Sequence, residues 1–233
     1  MSDETATTVP APKRSAIPDL DPVASVFFVS HATARDHNAD GPTEPNKVFA
    51  EFGRTLSKHL EQLVARRSGA DSGFIDRDLR GGVGWERKIL SEIGTCQVLV
   101  ALVSGPFSQS EWCGKEWDAF TRRQTWRRKD GLLMAEPQCA LPILWTVGPQ
   151  DRYPPIVRKR QWFTPRPTSK SELDQLYLSE GIYGMYQAER DAYHATVWRI
   201  AQEIQKLVTE YWVEPLIPDD GDCLINVFAE EEA

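Results

Sequence analysis

The stretch from Thr95 to Phe120, TCQVLVALVSGPFSQSEWCGKEWDAF, holds the residues whose types and spacing point to chemistry. Trp112, Glu116 and Phe120 recur at steps of four, which on a helix sets a carboxylate in line with two large aromatics. An acid in such a stripe is at odds with a core-facing role, and perturbed carboxylates in clefts are frequent functional groups. Val98 to Val103 is an apolar run closed by Ser104-Gly105-Pro106. It reads as a buried strand, apolar on both faces as a central parallel strand would be. Ser108 and Ser110 then offer N-cap oxygens for the helix. Glu116 is thereby expected on the first turns of a helix that follows a strand, where open α/β sheets build their ligand crevice.

The elements that must position this stretch can be read in order. Ser25 to Ser30 is β-branched and aromatic, a first strand. His31 to Asn46 is polar and carries two prolines, so a long loop is expected directly after that strand. Lys47 to Arg67 places Phe49, Phe52, Leu56, Leu60, Leu63 and Val64 on one helical stripe. Gly73 to Asp76 is a short second strand, followed by a charged, glycine-rich loop over Arg77 to Gly84 and a helix opening at Trp85. Cys139 to Thr146 is a further apolar run whose Pro142 marks a strand start or an edge strand. The order β-α-β-α-β-α-β implies a parallel sheet. Beyond it, Gln161-Trp162-Phe163 is read as an edge strand and 169–186 as a short helix broken at Gly181 and Gly184. Ala188 to Trp212 carries the most sustained apolar stripe, a long C-terminal helix packed on the sheet. The domain expected is 23–212, with its core motifs over 25–146; 1–22 is read as a disordered lead and 213–233 as an acidic tail.

Bulk properties exclude several classes. A chain of 233 residues with 41 % hydrophobic and 26 % charged residues has the composition of one ordinary globular domain. A net charge of −7 argues against a general nucleic-acid binder. The basic run Arg122, Arg123, Arg127, Arg128 and Lys129 is read as the solvated end of a helix. No stretch reaches the length of a membrane span, and the lead has no apolar signal core. Four cysteines without CxxC or disulfide-framework spacing suit reduced thiols in the cytoplasm. The four histidines (31, 37, 59, 194) fit no metal spacing, and neither a dinucleotide fingerprint, a Walker A loop nor HExxH occurs. Gly81-Gly82-Val83-Gly84 matches a phosphate cradle weakly and a plain permissive turn better. No metal or bound cofactor is expected.

Three blocks in order, FFVSHATARD, GFIDRDLRGGVGW and QVLVALVSGPFSQSEWCGKEW, resemble the Toll/interleukin-1 receptor (TIR) domain, and bacterial TIR-like proteins in particular. The matching residues are Ser30, His31, Asp36, Asp76, Gly82, Trp85, Ser104, Ser110, Trp112, Cys113 and Glu116. The loop after the first strand is longer than the family's, and 149–186 match it poorly. The resemblance implies a flavodoxin-like three-layer α/β sandwich with a central, mostly parallel sheet of four to five strands. It also implies one of two roles. Some members cleave NAD+ at the nicotinamide–ribose bond, using a glutamate on the third helix, the position of Glu116. Others are adaptors that act by TIR–TIR association. The loop of Arg77, Asp78, Leu79, Arg80, Gly81, Gly82 and Gly84 is, in the family, the element that gates the site and mediates self-association.

A single carboxylate suffices for such cleavage. Nicotinamide leaves NAD+ as a neutral pyridine, so no general acid is needed, and the transition state is oxocarbenium-like, as in glycoside hydrolysis. The site must supply one carboxylate that holds the ribose and stabilises developing positive charge, with apolar walls that exclude water. Phe27, Phe28 and Trp112 are the candidate walls, and Ser30, His31 and Arg77 the candidate ribose or phosphate contacts. Cys113 is read as a small buried hydrophobe, since no histidine is placed to activate it. The expectation is an NAD+ glycohydrolase or cyclase, with NAD+ as substrate rather than cofactor and activity that depends on self-association. The alternatives are a non-catalytic adaptor and a nucleoside-processing enzyme of related fold.

Overall fold

A computed structural model describes residues 13–32, 44–65, 70–75, 83–165 and 171–229. Four parallel strands form the central sheet in the order β2-β1-β3-β5: β1 (Phe27–Ser30), β2 (Gly73–Ile75), β3 (Val98–Val103) and β5 (Ala140–Leu144). Every residue of β3 is fully buried, as its uninterrupted apolar run demands of a central parallel strand. Pro142 sits in β5, at the sheet edge, where its missing N–H interrupts no inner ladder. Helices cover both faces. On one lie α1 (Glu44–Glu61) and α7 (Arg190–Glu210); on the other, α2 (Val83–Thr95) packs against α4 (Glu111–Thr121). This is the flavodoxin-like α/β arrangement expected.

Strand alternation assigns the faces. Gly53 of α1 is seated against Ile75, and Gly73 against the ring of Phe27, so Phe27 and Val29 face α1. Phe28 stacks on Phe74 at 5.4 Å, and Lys88 of α2 lies over the Phe74 ring at 5.3 Å. Phe28 and Ser30 therefore point to the α2–α4 side.

Several elements differ from the reading above. α1 ends at Glu61, before Leu63 and Val64. A short helix, α3 (Gly105–Gln109), precedes α4; Ser104 caps it by accepting from the Phe107 N–H at 3.2 Å. Gln161-Trp162-Phe163 is not a strand, although the Phe163 N–H donates to the Pro142 carbonyl at 3.0 Å. One turn of helix, α5 (Pro155–Arg158), lies between β5 and α6 (Glu172–Ala188). Helix α6 is kinked at Gly181 alone: its φ of +64° suits glycine, and a Cβ there would stand 2.6 Å from the Trp145 carbonyl oxygen.

The chain ends are integrated into the fold over their described residues. β4 (Thr125–Arg127) and β6 (Tyr211–Val213) form an antiparallel ribbon, so the last helix stops at Glu210 and not at Trp212. Arg14, in the stretch expected to be disordered, pairs with Glu214 at 2.7 Å and lies over the Trp212 ring at 4.7 Å. The tail is held across α2 and α4: the Leu216 N–H donates to the Gly94 carbonyl and the Ile225 N–H to Asp118 Oδ2, both at 2.9 Å. Phe228 packs against Phe107 and Trp117.

Part of the basic run is likewise not solvated: Arg122 and Lys129 are exposed, but Arg123 and Arg128 are not. Arg123 is 3 % exposed and donates to the carbonyls of Ile93, Cys96, Val213 and Glu214. Arg122 is paired with Asp118, Arg127 with Asp130, and Arg128 donates to the carbonyls of Val208, Tyr211 and Pro18. The Arg123 and Arg128 guanidiniums clamp the ends of other chain segments.

Candidate active site

Glu116 stands at the topological switch of the sheet. After β1 the chain passes to β2 on one side and then to β3 on the other, so its connections diverge between β1 and β3. The crevice beyond the carboxyl ends of strands at such a point is where doubly wound folds hold ligands. Ser30 closes β1 and is in register with Ala101 of β3. Both are small and both face α4, which leaves room at the sheet's end for a carboxylate from the helix.

That carboxylate is Glu116. Ser110 caps α4 by accepting from the Cys113 N–H at 3.2 Å, which sets the start of the helix. A turn and a half further on, Glu116 is only 6 % exposed, and Ser30 Oγ donates to its Oε2 at 2.5 Å. A hydrogen bond to a buried acid restricts the orientation of its carboxyl group. The Cys113 thiol lies in the same cluster: burial and then the Glu116 carboxylate push its pKa up, outweighing its hydrogen bonds with Ser110 and Ser30. It is an inert neighbour of the acid and not a nucleophile. Burial likewise raises Cys96 to about 11 and Cys139 to about 12.

His31 follows Ser30 and opens an aromatic chain across the ends of the strands. Its ring lies 4.3 Å from Phe49, which stacks on Trp145 at 4.3 Å, and Trp145 lies 6.0 Å from Tyr183. Burial lowers the His31 pKa to about 4, against the opposing effect of a hydrogen bond with the Val29 backbone, so the imidazole is neutral at pH 7. Phe49, Trp145 and Tyr183 were not singled out from the sequence. Phe49 sits in an ordinary helical stripe, and only the tertiary fold brings Trp145 and Tyr183 beside it.

Ser30 and Glu116 are thus brought together, with His31 next in the chain. Phe27 and Phe28 are both fully buried in the sheet, Phe27 on the opposite face from Glu116. Trp112 is half-buried, its ring 5.2 Å from Trp85 and covered by Gly221 of the tail. Its indole Nε1 is buried with no hydrogen-bond partner among the described residues. Gly84 falls in the first turn of α2, and among the described residues nothing would crowd a side chain there. Arg77, Asp78, Leu79, Arg80, Gly81 and Gly82 lie outside the described residues, as do Asp36 and Asp76. Among the described residues no group of His, Cys, Asp and Glu is arranged to hold a metal, and no helix is long and apolar enough to cross a membrane.

The model of the TIR domain family matches residues 49–177, more than half of the 233-residue chain. No curated protein and no solved structure matches it. The match runs from α1 into α6 and includes the helix that carries Glu116; β1, with Ser30 and His31, precedes it. The parallel sheet with helices on both sides, the strand order and the extent of this match agree: the chain belongs to the TIR domain family.

Proposed function

We propose that this TIR domain cleaves NAD+ at the nicotinamide–ribose bond, with Glu116 as the carboxylate that holds the ribose and stabilises the oxocarbenium-like transition state. The observation that carries the reading is the burial of Glu116 at the sheet's switch point, oriented by Ser30. An acid held in low-dielectric surroundings stabilises adjacent positive charge more strongly than one in water. In this scheme nicotinamide departs as the neutral base, the C1′ cation forms beside the Glu116 carboxylate, and water or an adenine nitrogen completes the reaction. His31, neutral at the end of β1 beside Ser30, adds no second charge to the site. Arg77 and the glycine-rich loop that follows it would close the site and join one copy to the next.

A second reading rests on the family match itself, which fits an adaptor that acts only by TIR–TIR association as well as it fits an enzyme. The two readings part on nicotinamide release from NAD+ by concentrated protein, measured chromatographically beside Glu116→Gln.

A further inference from the structure

A cavity of about 1900 Å³ runs along the outer edge of β5, between the segment 151–165 and α7. It is separate from the Glu116 site and roomy enough for a small-molecule ligand, whose usual sites run to roughly 300–1,000 Å³. Its charge runs against that of the chain. Overall the protein has 27 Lys and Arg against 34 Asp and Glu. The described lining of the cavity has six against four.

Two of these cations are already engaged, Arg160 with Glu136 and Lys206 with Glu203. Arg152, Arg158 and Lys159 are exposed and make no ion pair among the described residues. Arg160 also keeps a buried Nε donor with no partner there, and a buried donor of that kind calls for an acceptor. Beside these cations, Trp162 is half-buried and packs on Tyr153, with ring centroids 5.4 Å apart. Unpaired guanidiniums suit phosphate oxygens, and a supported indole offers a stacking surface for a base.

The geometry points to a binding site for a nucleoside polyphosphate, its base on Trp162 and its phosphates on Arg152, Arg158 and Lys159. The probe is ATP titrated calorimetrically into the full chain, with pyrophosphate and adenosine as separate arms. ATP is expected to bind at least about tenfold more tightly than either fragment, since base and phosphates are held together. Arg158→Glu with Lys159→Glu should weaken ATP by about tenfold or more, and both residues are exposed, so the variant folds. Glu116→Gln should leave the affinity unchanged, which separates this site from the crevice. Absence of saturable ATP binding, binding unchanged in the double variant, loss of binding in Glu116→Gln, or pyrophosphate binding as tightly as ATP would each overturn the assignment.

Discussion

Ser30 and Glu116 are 86 residues apart in the chain, yet the serine hydroxyl meets the buried carboxylate at 2.5 Å. The bond ties the end of a central strand to the helix that follows its neighbour, across the point where the chain changes direction in the sheet. It converts a helix acid into an oriented group.

Replacing Ser30 with Ala removes the only hydroxyl on β1 and leaves the sheet's apolar packing in place. Hydrogen bonds to charged groups contribute about 1.5–3 kcal/mol, and about 1.4 kcal/mol is a factor of ten in rate. NAD+ turnover by Ser30→Ala is expected to fall about tenfold or more in kcat, with KM nearly unchanged. Steady-state kinetics distinguishes this from a binding role, which would raise KM at constant kcat.

His31 sets a pH dependence of stability. Folded, it titrates at about 4; unfolded, near its ordinary value of 6.5. The unfolded state therefore binds more protons between these values, so stability is fully present above about 6.5 and is lost as pH falls toward 4. Urea unfolding of wild type and His31→Phe across that range checks the sign. The difference in stability between the two should be flat above pH 7 and change progressively below it.

The parts of the fold that were legible in the sequence are those with local causes. Val98 to Val103 announces a buried strand by composition alone, Ser110 starts α4 as a cap, and Pro142 marks the edge strand. Glu116 stood out because an acid in an aromatic stripe breaks the pattern. What escaped reading depends on partners distant in sequence. The Trp126–Trp212 register makes a strand out of what periodicity extends as helix. Arg123 and Arg128 read as surface until the carbonyls they clamp arrive from other segments. The same holds for the aromatic chain from His31 to Tyr183, whose members lie on separate elements.

Arg123 joins α4's end to α2, β6 and the start of the tail. Arg123→Met would remove the donor shared by four carbonyls. Those of Ile93 and Cys96 are buried, the Val213 carbonyl keeps its bond from Gln97 Nε2, and the Glu214 carbonyl is part-buried. Each loss is worth about 1–3 kcal/mol only where no other donor or water replaces it. A loss of about 3–5 kcal/mol is expected in urea unfolding, the range for breaking a buried charged network. Arg123→Lys should recover little of it, because an ammonium lacks the planar fork that spans these acceptors.

The tail makes a similar case. Phe228 is 9 % exposed and fills the gap between Phe107 and Trp117. Phe228→Ala should destabilise the fold by about 3 kcal/mol, the low end for a buried aromatic. Replacing exposed Ile225, whose backbone but not side chain is engaged, should cost less than about 0.5 kcal/mol. Equal costs for the two would show that the tail is not held by Phe228.

The central claim rests on one carboxylate. The most direct measurement is chromatographic analysis of NAD+ incubated with concentrated wild-type protein and with Glu116→Gln, whose amide keeps an acceptor for Ser30 and should leave the thermal midpoint close to wild type. The account predicts nicotinamide release by the wild type alone, with ADP-ribose or a cyclic isomer as co-product. Equal release by Glu116→Gln would contradict the assignment of the carboxylate, and no release by either protein would contradict NAD+ cleavage and leave the adaptor reading.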